Sequence, residues 1–365
     1  MKSVYVHIPF CSSICSYCDF PKFFYRSDWV EQYLAQLKKE IETYYQFEKV
    51  KTLYIGGGTP SALNIKELKY LFSILQIFDL SECIEFTFEC NIENITEEKA
   101  ILLKQFGVNR ISIGVETFHS KYLQFLNRHH QISEIKEKIK MLKKIGFLNI
   151  NVDLIYALPN ETLKEVEEDI VAFLKLDIPH ISTYSLMIEP HTMLNVHNVE
   201  PIEEELDYAM YQKIEQILKE HQFIHYEVSN FSLKGYESKH NLIYWNNLEY
   251  YGFGLGAAGY IGGERYENTR NWNHYLSGNY RKEIHKLSIN ETIENELILG
   301  LRKLDGISLL EFEKKYHRDL KEYSVIKDLL KEGKLIEENG NIKIDERFIY
   351  ISNQILYQLI GEQYE

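Results

Sequence analysis

The stretch His7-Ile-Pro-Phe-Cys11-Ser-Ser-Ile-Cys15-Ser-Tyr17-Cys18-Asp-Phe20 brings three cysteines within eight positions, directly after an alternating segment, Ser3–Ile8. Alternation of apolar and polar residues is the period-two mark of a strand. The C-x3-C-x2-C run therefore sits where a strand ends. It offers three thiolates, whereas an iron–sulfur cubane with a full protein ligand set takes four. One iron would then stay open to a group that is not protein. The other cysteines, Cys83 and Cys90, lie far along the chain, and neither reads as a nearby fourth ligand. Structural zinc is the competing reading; it takes four closed ligands, so Asp19 or His7 would have to complete the set. A disulfide framework fits worse, because five cysteines is an odd number and no secretory signal is recognisable.

Outward from this run the chain keeps alternating strand and helix signals. Strands are predicted at Ser3–Ile8, 51–55, Ile84–Phe88, Arg110–Val115, Asn149–Tyr156 and His180–Met187, with a further one near His225–Val228. Amphipathic stripes run between them, such as Val30, Tyr33, Leu34, Leu37 and Ile41 at helical spacing. Asp28 with Glu31 and Thr162 with Glu165 read as capping pairs, Thr96 as a helix opener, and Gly107 and Gly146 as terminators. About six β-then-α units imply a parallel sheet with right-handed crossovers. That is short of a closed eight-unit barrel, so an open partial barrel and a doubly wound sheet both fit. The cysteine run, Gly56–Pro60, Glu89, Glu116 and Asp153 all fall at or beside C-terminal strand ends. In parallel α/β folds that edge binds ligands.

The 365 residues suffice for one large domain and a smaller one, with ordinary hydrophobic (45%) and charged (26%) content. No apolar run approaches the ~20 residues that cross a bilayer. The opening MKSVYVHIPF lacks a signal-peptide layout, which with free thiols points to the cytoplasm. A net charge of −13 argues against nucleic-acid binding, which rests on neutralising phosphates. An anionic small molecule needs only a local basic pocket. Several of the 27 tyrosines crowd around Trp245: Tyr244, Tyr250, Tyr251, Tyr260 and Tyr266.

The cysteine run with Tyr17 before its last Cys, followed by Gly56-Gly-Gly-Thr-Pro60, resembles the radical S-adenosylmethionine (SAM) enzymes. The resemblance is closest to the branch containing oxygen-independent coproporphyrinogen III oxidase. Arg110-Ile-Ser-Ile-Gly-Val-Glu116, Leu126-Asn-Arg128, Val152-Asp-Leu-Ile-Tyr-Ala-Leu-Pro159 and Tyr184-Ser-Leu-Met-Ile-Glu-Pro190 extend it over most of residues 1–230. It implies a partial (β/α)6 barrel over 1–230 and a [4Fe-4S] cluster on Cys11, Cys15 and Cys18. It also implies SAM bound by Gly57, Gly58, Thr59, Glu89, Arg128 and Asp153, with Tyr5 and Tyr17 packed beside cluster and adenosyl group. The glycines would admit the methionine amine at close range, and Arg128 would pair with the SAM carboxylate. Read singly, Gly56–Gly58 would be a plain turn, Asp153 a loop cap and Arg128 an ion-pair partner. Glu116 is the further SAM contact that the resemblance implies; it stands where this branch usually has Gln, and an ionised carboxylate accepts but cannot donate.

Two features turn the resemblance from the oxidase toward haem chaperones of the HemW type. The oxidase has a further Cys where Phe20 stands, and an N-terminal extension that a first cysteine at position 11 leaves no room for. His240-Asn241-Leu-Ile-Tyr244-Trp245 matches the H-N-x-x-Y-W signature of the chaperones, and 250–257 and 265–268 extend the match, though Ala258 replaces a frequent His. A neutral His240 is a chemically suitable axial haem ligand, with Asn241, Tyr244 and Trp245 beside it; packing is the competing role. Residues 231–288 are thus expected to form a haem-contact segment and linker. Residues 289–365 read as a small winged-helix-like α+β domain, its wing a hairpin around Asn339-Gly340. The expected function is a haem chaperone with [4Fe-4S], SAM and haem as cofactors. The alternatives are a coproporphyrinogen III dehydrogenase or a radical-SAM enzyme with another substrate. Expected partners are recipient haemoproteins, including membrane ones in transient contact, an electron donor and a second copy of the chain.

Overall fold

A computed structural model describes residues 1–361 and 364. Six strands, Lys2–Ile8, Val50–Gly57, Glu85–Asn91, Arg110–Glu116, Asn149–Tyr156 and His180–Ser185, pair in parallel in chain order. Helices cross between them, among them Ser27–Tyr44, Ile65–Leu75, Glu97–Gln105, Ile132–Ile145 and Leu163–Leu174. The period-two pattern decides which face each strand residue takes. Val4, Val6, Leu53, Ile55, Phe86, Phe88, Ile111 and Val152 point outward into one apolar cluster with helix residues such as Val30, Leu34 and Leu71. The alternate positions (Ser3, Thr52, Glu85, Arg110, Ser112, Asn151, His180 and Ser182) are buried and polar. A closed eight-stranded barrel fills its inside with branched apolar side chains; this incomplete one is lined with hydrogen-bonding groups.

Local signals place the helices. Thr162 and Glu165 form a reciprocal capping box, Thr96 accepts from the Lys99 N–H, and Gly146 ends its helix at φ 102°. The first helix departs from expectation. It starts at Ser27, and Asp28 makes an exposed ion pair with Arg26 in place of a cap. The Ser27 hydroxyl is already spent on Glu67, at 2.7 Å.

The sheet continues beyond the six strands. Asn230–Ser232 pairs antiparallel with the sixth strand, and Ile224–Glu227 lies outside it. On the other edge Tyr250–Phe253 runs parallel to the first strand, followed by antiparallel Ala258–Ile261, Glu264–Asn268 and Arg281–Lys286. Residues read as a linker thus supply sheet. Gly252 permits it: a Cβ there would lie 1.8 Å from the Ala258 carbonyl oxygen. The buried Glu40 carboxylate fastens these strands to the first helix, accepting from Tyr275 (2.6 Å), Asn268 (2.6 Å) and the Gly254 N–H (2.9 Å).

Ile289–Gly300, Leu309–Tyr316 and Ser324–Lys331 share a second apolar cluster with a three-stranded antiparallel sheet. Its hairpin turns at Asn339 (φ 53°) and Gly340 (φ 80°), both left-handed as the tight two-residue turn demands. Among the described residues no helix is long and apolar enough to cross a membrane.

Burial raises the Glu40 carboxyl from 4.5 to about 7. Between those values the folded chain keeps a proton that the unfolded chain has released, so stability falls as pH rises through that window. Glu40→Gln is expected to flatten this decline, read from urea midpoints between about pH 5 and about pH 8.

Candidate functional site

The cysteine loop is clasped at its base. Phe10–Cys11 pairs with Phe23–Phe24, and on the other side the Gly58 and Thr59 N–H groups donate to the Ile8 and Phe10 carbonyls at 2.9 and 2.8 Å. The Leu126-Asn127-Arg128 turn grips the loop from across the cavity. Asn127, left-handed at φ 57°, donates through its amide to the Ile14 carbonyl (2.7 Å), and the Ser16 N–H donates to the Leu126 carbonyl (3.1 Å). Cys11, Cys15 and Cys18 are free thiols on the wall of a cavity of about 440 Å³. Burial pushes the Cys11 thiol up to about 12 and raises Cys15 as well, so loading a metal here must displace protons.

Among the described residues no three His, Cys, Asp or Glu side chains converge where a single ion could sit. His7, a candidate fourth zinc ligand, is committed. Its Nε2 lies 2.8 Å from the Pro21 carbonyl, which can only accept, so Nδ1 is the acceptor of the Tyr5 hydroxyl at 3.0 Å. Tyr5 thereby stands behind the cavity wall rather than on it. Cys90, which its distance along the chain made seem remote, does reach the cavity lining, but its thiol bonds to Ser61 and packs in the apolar cluster.

Gly57 and Gly58 line the cavity, but their missing side chains serve the protein first. A Cβ on Gly57 (φ 110°) would lie 2.3 Å from the His7 ring, and one on Gly58 would lie 2.8 Å from the Ile8 carbonyl oxygen. Thr59 is buried and accepts from Asn91 at 3.2 Å. Glu89 accepts from the Tyr54 hydroxyl (2.7 Å) and the Gly57 N–H (2.9 Å), and burial raises its carboxyl to about 7. Asp153 accepts from Asn151 at 2.9 Å, its carboxyl likewise raised by burial.

Arg128 and Glu116 form a buried ion pair, and Arg128 also donates to the Tyr17 hydroxyl at 3.1 Å. Glu116 ends the fourth strand at φ 68°, one residue past a register shift that re-aims the chain there. The Arg128 Nε is buried without a partner. The donor set fits a cluster with one open iron and a zwitterionic ligand: three thiols on one wall, carboxylates facing them and an incompletely satisfied guanidinium between.

The inner-face residues Tyr54, Arg110, Ser112, Asn151, Ser182 and Tyr184 also line the cavity, and sequence reasoning did not assign them to the site. Polar residues at every second place in otherwise apolar strands were the signal for them. Phe20 (60% exposed) and Met187 (67%) give the cavity an apolar lip.

The His240 segment is seated differently from the expectation of an available haem ligand. Lys239–Trp245 forms a helix at the N-terminal end of the strands, and both the Lys239 and His240 N–H groups donate to the Glu85 carboxylate at 2.9 Å. His240 is 1% exposed, with Nδ1 2.8 Å from the Thr52 hydroxyl and Nε2 2.7 Å from the Tyr244 hydroxyl. Burial lowers its imidazole to about 3. Neither nitrogen is free for iron in this arrangement. Asn241 lines the cavity, and the buried Trp245 Nε1 has no partner. Ala258 lies in the added sheet, opposite Glu267.

Gly57→Ala should destabilise the protein by about 2 kcal/mol or more, since it adds both a left-handed penalty and the His7 clash. Urea denaturation checks it, and a loss below about 0.5 kcal/mol would refute the packing account.

Residues 5–172 match the Radical SAM superfamily and 287–347 the HemN C-terminal domain. A protein from Lactococcus lactis called heme chaperone HemW is 39% identical, with 98% of this chain and 97% of that protein covered. One of the same name from Bacillus subtilis is 39% identical over 99% of this chain and 100% of its own length. The structure of coproporphyrinogen III oxidase (HemN) from Escherichia coli superposes with a TM-score of 0.86 at 21% identity, covering 98% of this chain and 90% of that one; it shares the fold. The chain belongs to the HemW family within the radical SAM superfamily.

Proposed function

We propose that this protein is a haem chaperone that carries a [4Fe-4S] cluster, binds SAM and hands haem to haemoproteins. The observation that carries this reading is likeness over nearly the full length to proteins named heme chaperones. Cys11, Cys15 and Cys18 would hold three irons of the cluster. Bound at the fourth, SAM supplies one-electron chemistry when the cluster is reduced. Gly57, Gly58 and Thr59 would give backbone contact to the methionine end, and Glu89 and Asp153 would accept from its amino or ribose groups. Arg128 would hold the SAM carboxylate while still braced by Glu116 and Tyr17.

The apolar lip of Phe20 and Met187 suits the flat face of a tetrapyrrole. Of the 240–245 signature, Asn241 would meet a ligand, a reading supported by its place on the cavity wall, whereas His240 and Tyr244 pin the helix; Trp245 has an indole N–H still to satisfy. Five free thiols suit a reducing compartment such as the cytoplasm.

Cys15→Ala should abolish the brown absorbance after anaerobic reconstitution, and full retention of cluster iron and sulfide would overturn the ligand assignment. The wild-type protein should bind haem and transfer it to an apo-haemoprotein. Anaerobic incubation with SAM, dithionite and coproporphyrinogen III should give no oxidised product; its formation would place the chain with the dehydrogenases instead. His240→Gln should leave the Soret band in place while lowering thermal stability, and loss of the band at unchanged stability would make His240 an iron ligand.

A further inference from the structure

Arg110 opens the fourth strand on its inner face and is among the largest fully buried side chains, 2% exposed. It lines the same cavity as the cysteines. Among the described residues its guanidinium makes no hydrogen bond or ion pair, and its Nε is buried with no acceptor. A guanidinium keeps its charge throughout the accessible pH range, and burying a charge without a partner is costly. The carboxylates in electrostatic reach, Glu89 and Asp153, are held by Tyr54, Gly57 and Asn151. Across the neighbouring strands, Thr87 and Asn149 stand in register with Arg110, and each carries a buried side-chain oxygen without a partner. Three adjacent strands therefore present one row of unsatisfied polar groups.

We infer that the Arg110 guanidinium, the member of this row that lines the cavity, is the seat of a carboxylate carried in by a ligand. The seat is distinct from the Arg128–Glu116 pair. Glu116 lies six residues further along the same strand, ~20 Å at the rise of an extended chain. A tetrapyrrole offers the required chemistry through its propionates, whereas the single carboxylate of SAM is already given to Arg128 at the other end of the strand. The inference deepens the haem-chaperone reading and rests on it.

The test compares wild type with Arg110→Met, which roughly conserves volume, and Arg110→Lys, which keeps the charge but not the fork. Full-length protein, reconstituted anaerobically, is titrated with SAM, with haem and with haem dimethyl ester, whose propionates are blocked. Arg110→Met should weaken haem about 10- to 100-fold and leave SAM unchanged, with Arg110→Lys between it and wild type. Cluster iron should be unchanged. Tm should hold or rise, because an unpaired buried charge has been removed. Weaker haem binding with ester and SAM binding unaltered supports the inference. Unchanged haem affinity, an equal loss for the ester, a parallel loss of SAM, or a marked fall in Tm overturns it. If wild type binds no haem, the chaperone reading fails and the inference with it.

Discussion

Everything in this structure depends on a sheet whose two faces have opposite chemistry. The outer face is apolar because helices cover it, as in any parallel α/β fold. The inner face is polar, so its groups must find hydrogen bonds in one another or in a ligand. Many find one another: Asn151 donates to both Ser112 and Asp153, His180 bridges Asn151 and Tyr226, and Thr52 links Ser3 to His240. Arg110, which lines the cavity, finds none, and neither do the Thr87 and Asn149 oxygens in register with it. Binding capacity is thus built into the strands themselves, and the loops at the rim add the metal ligands.

The rim is held with the same economy. The glycine run lets the second strand come against the first without side-chain interference, so two backbone bonds clasp the chain just before Cys11. Asn127 reaches across from the fourth unit to the middle of the cysteine loop. The three-cysteine loop is therefore shaped by its neighbours, which favours pre-organised cluster loading.

The fold was legible because each strand announces itself by period-two alternation and each helix by caps; the first six strands fall within a few residues of their expected places. The additional strands at 250–286 were missed because they are short, the outer two are rich in charged residues, and their pairing rests on tertiary contacts, among them Gly252 against Ala258. The cysteine loop, the glycine run and the strand-end acids do gather at one cavity, as strand-end positions implied. What sequence could not convey was commitment: that His7 is tied to Tyr5, Arg128 to Glu116, and His240 to Thr52 and Tyr244. A motif names residue types, whereas hydrogen bonds made elsewhere decide which of them remain available. Arg110 shows the converse, since its lack of partners is visible only in three dimensions.

The helix Lys239–Trp245, stitched to Glu85 and Thr52, acts as a stopper beneath the strands. With that end closed, two guests entering past the lip would be ordered: the one that settles deeper would arrive first and depart last, and a molecule lodged at the cysteines would lock in whatever lay beneath it. Release of the deeper guest would then be governed by departure of the shallower one, a queue imposed by architecture.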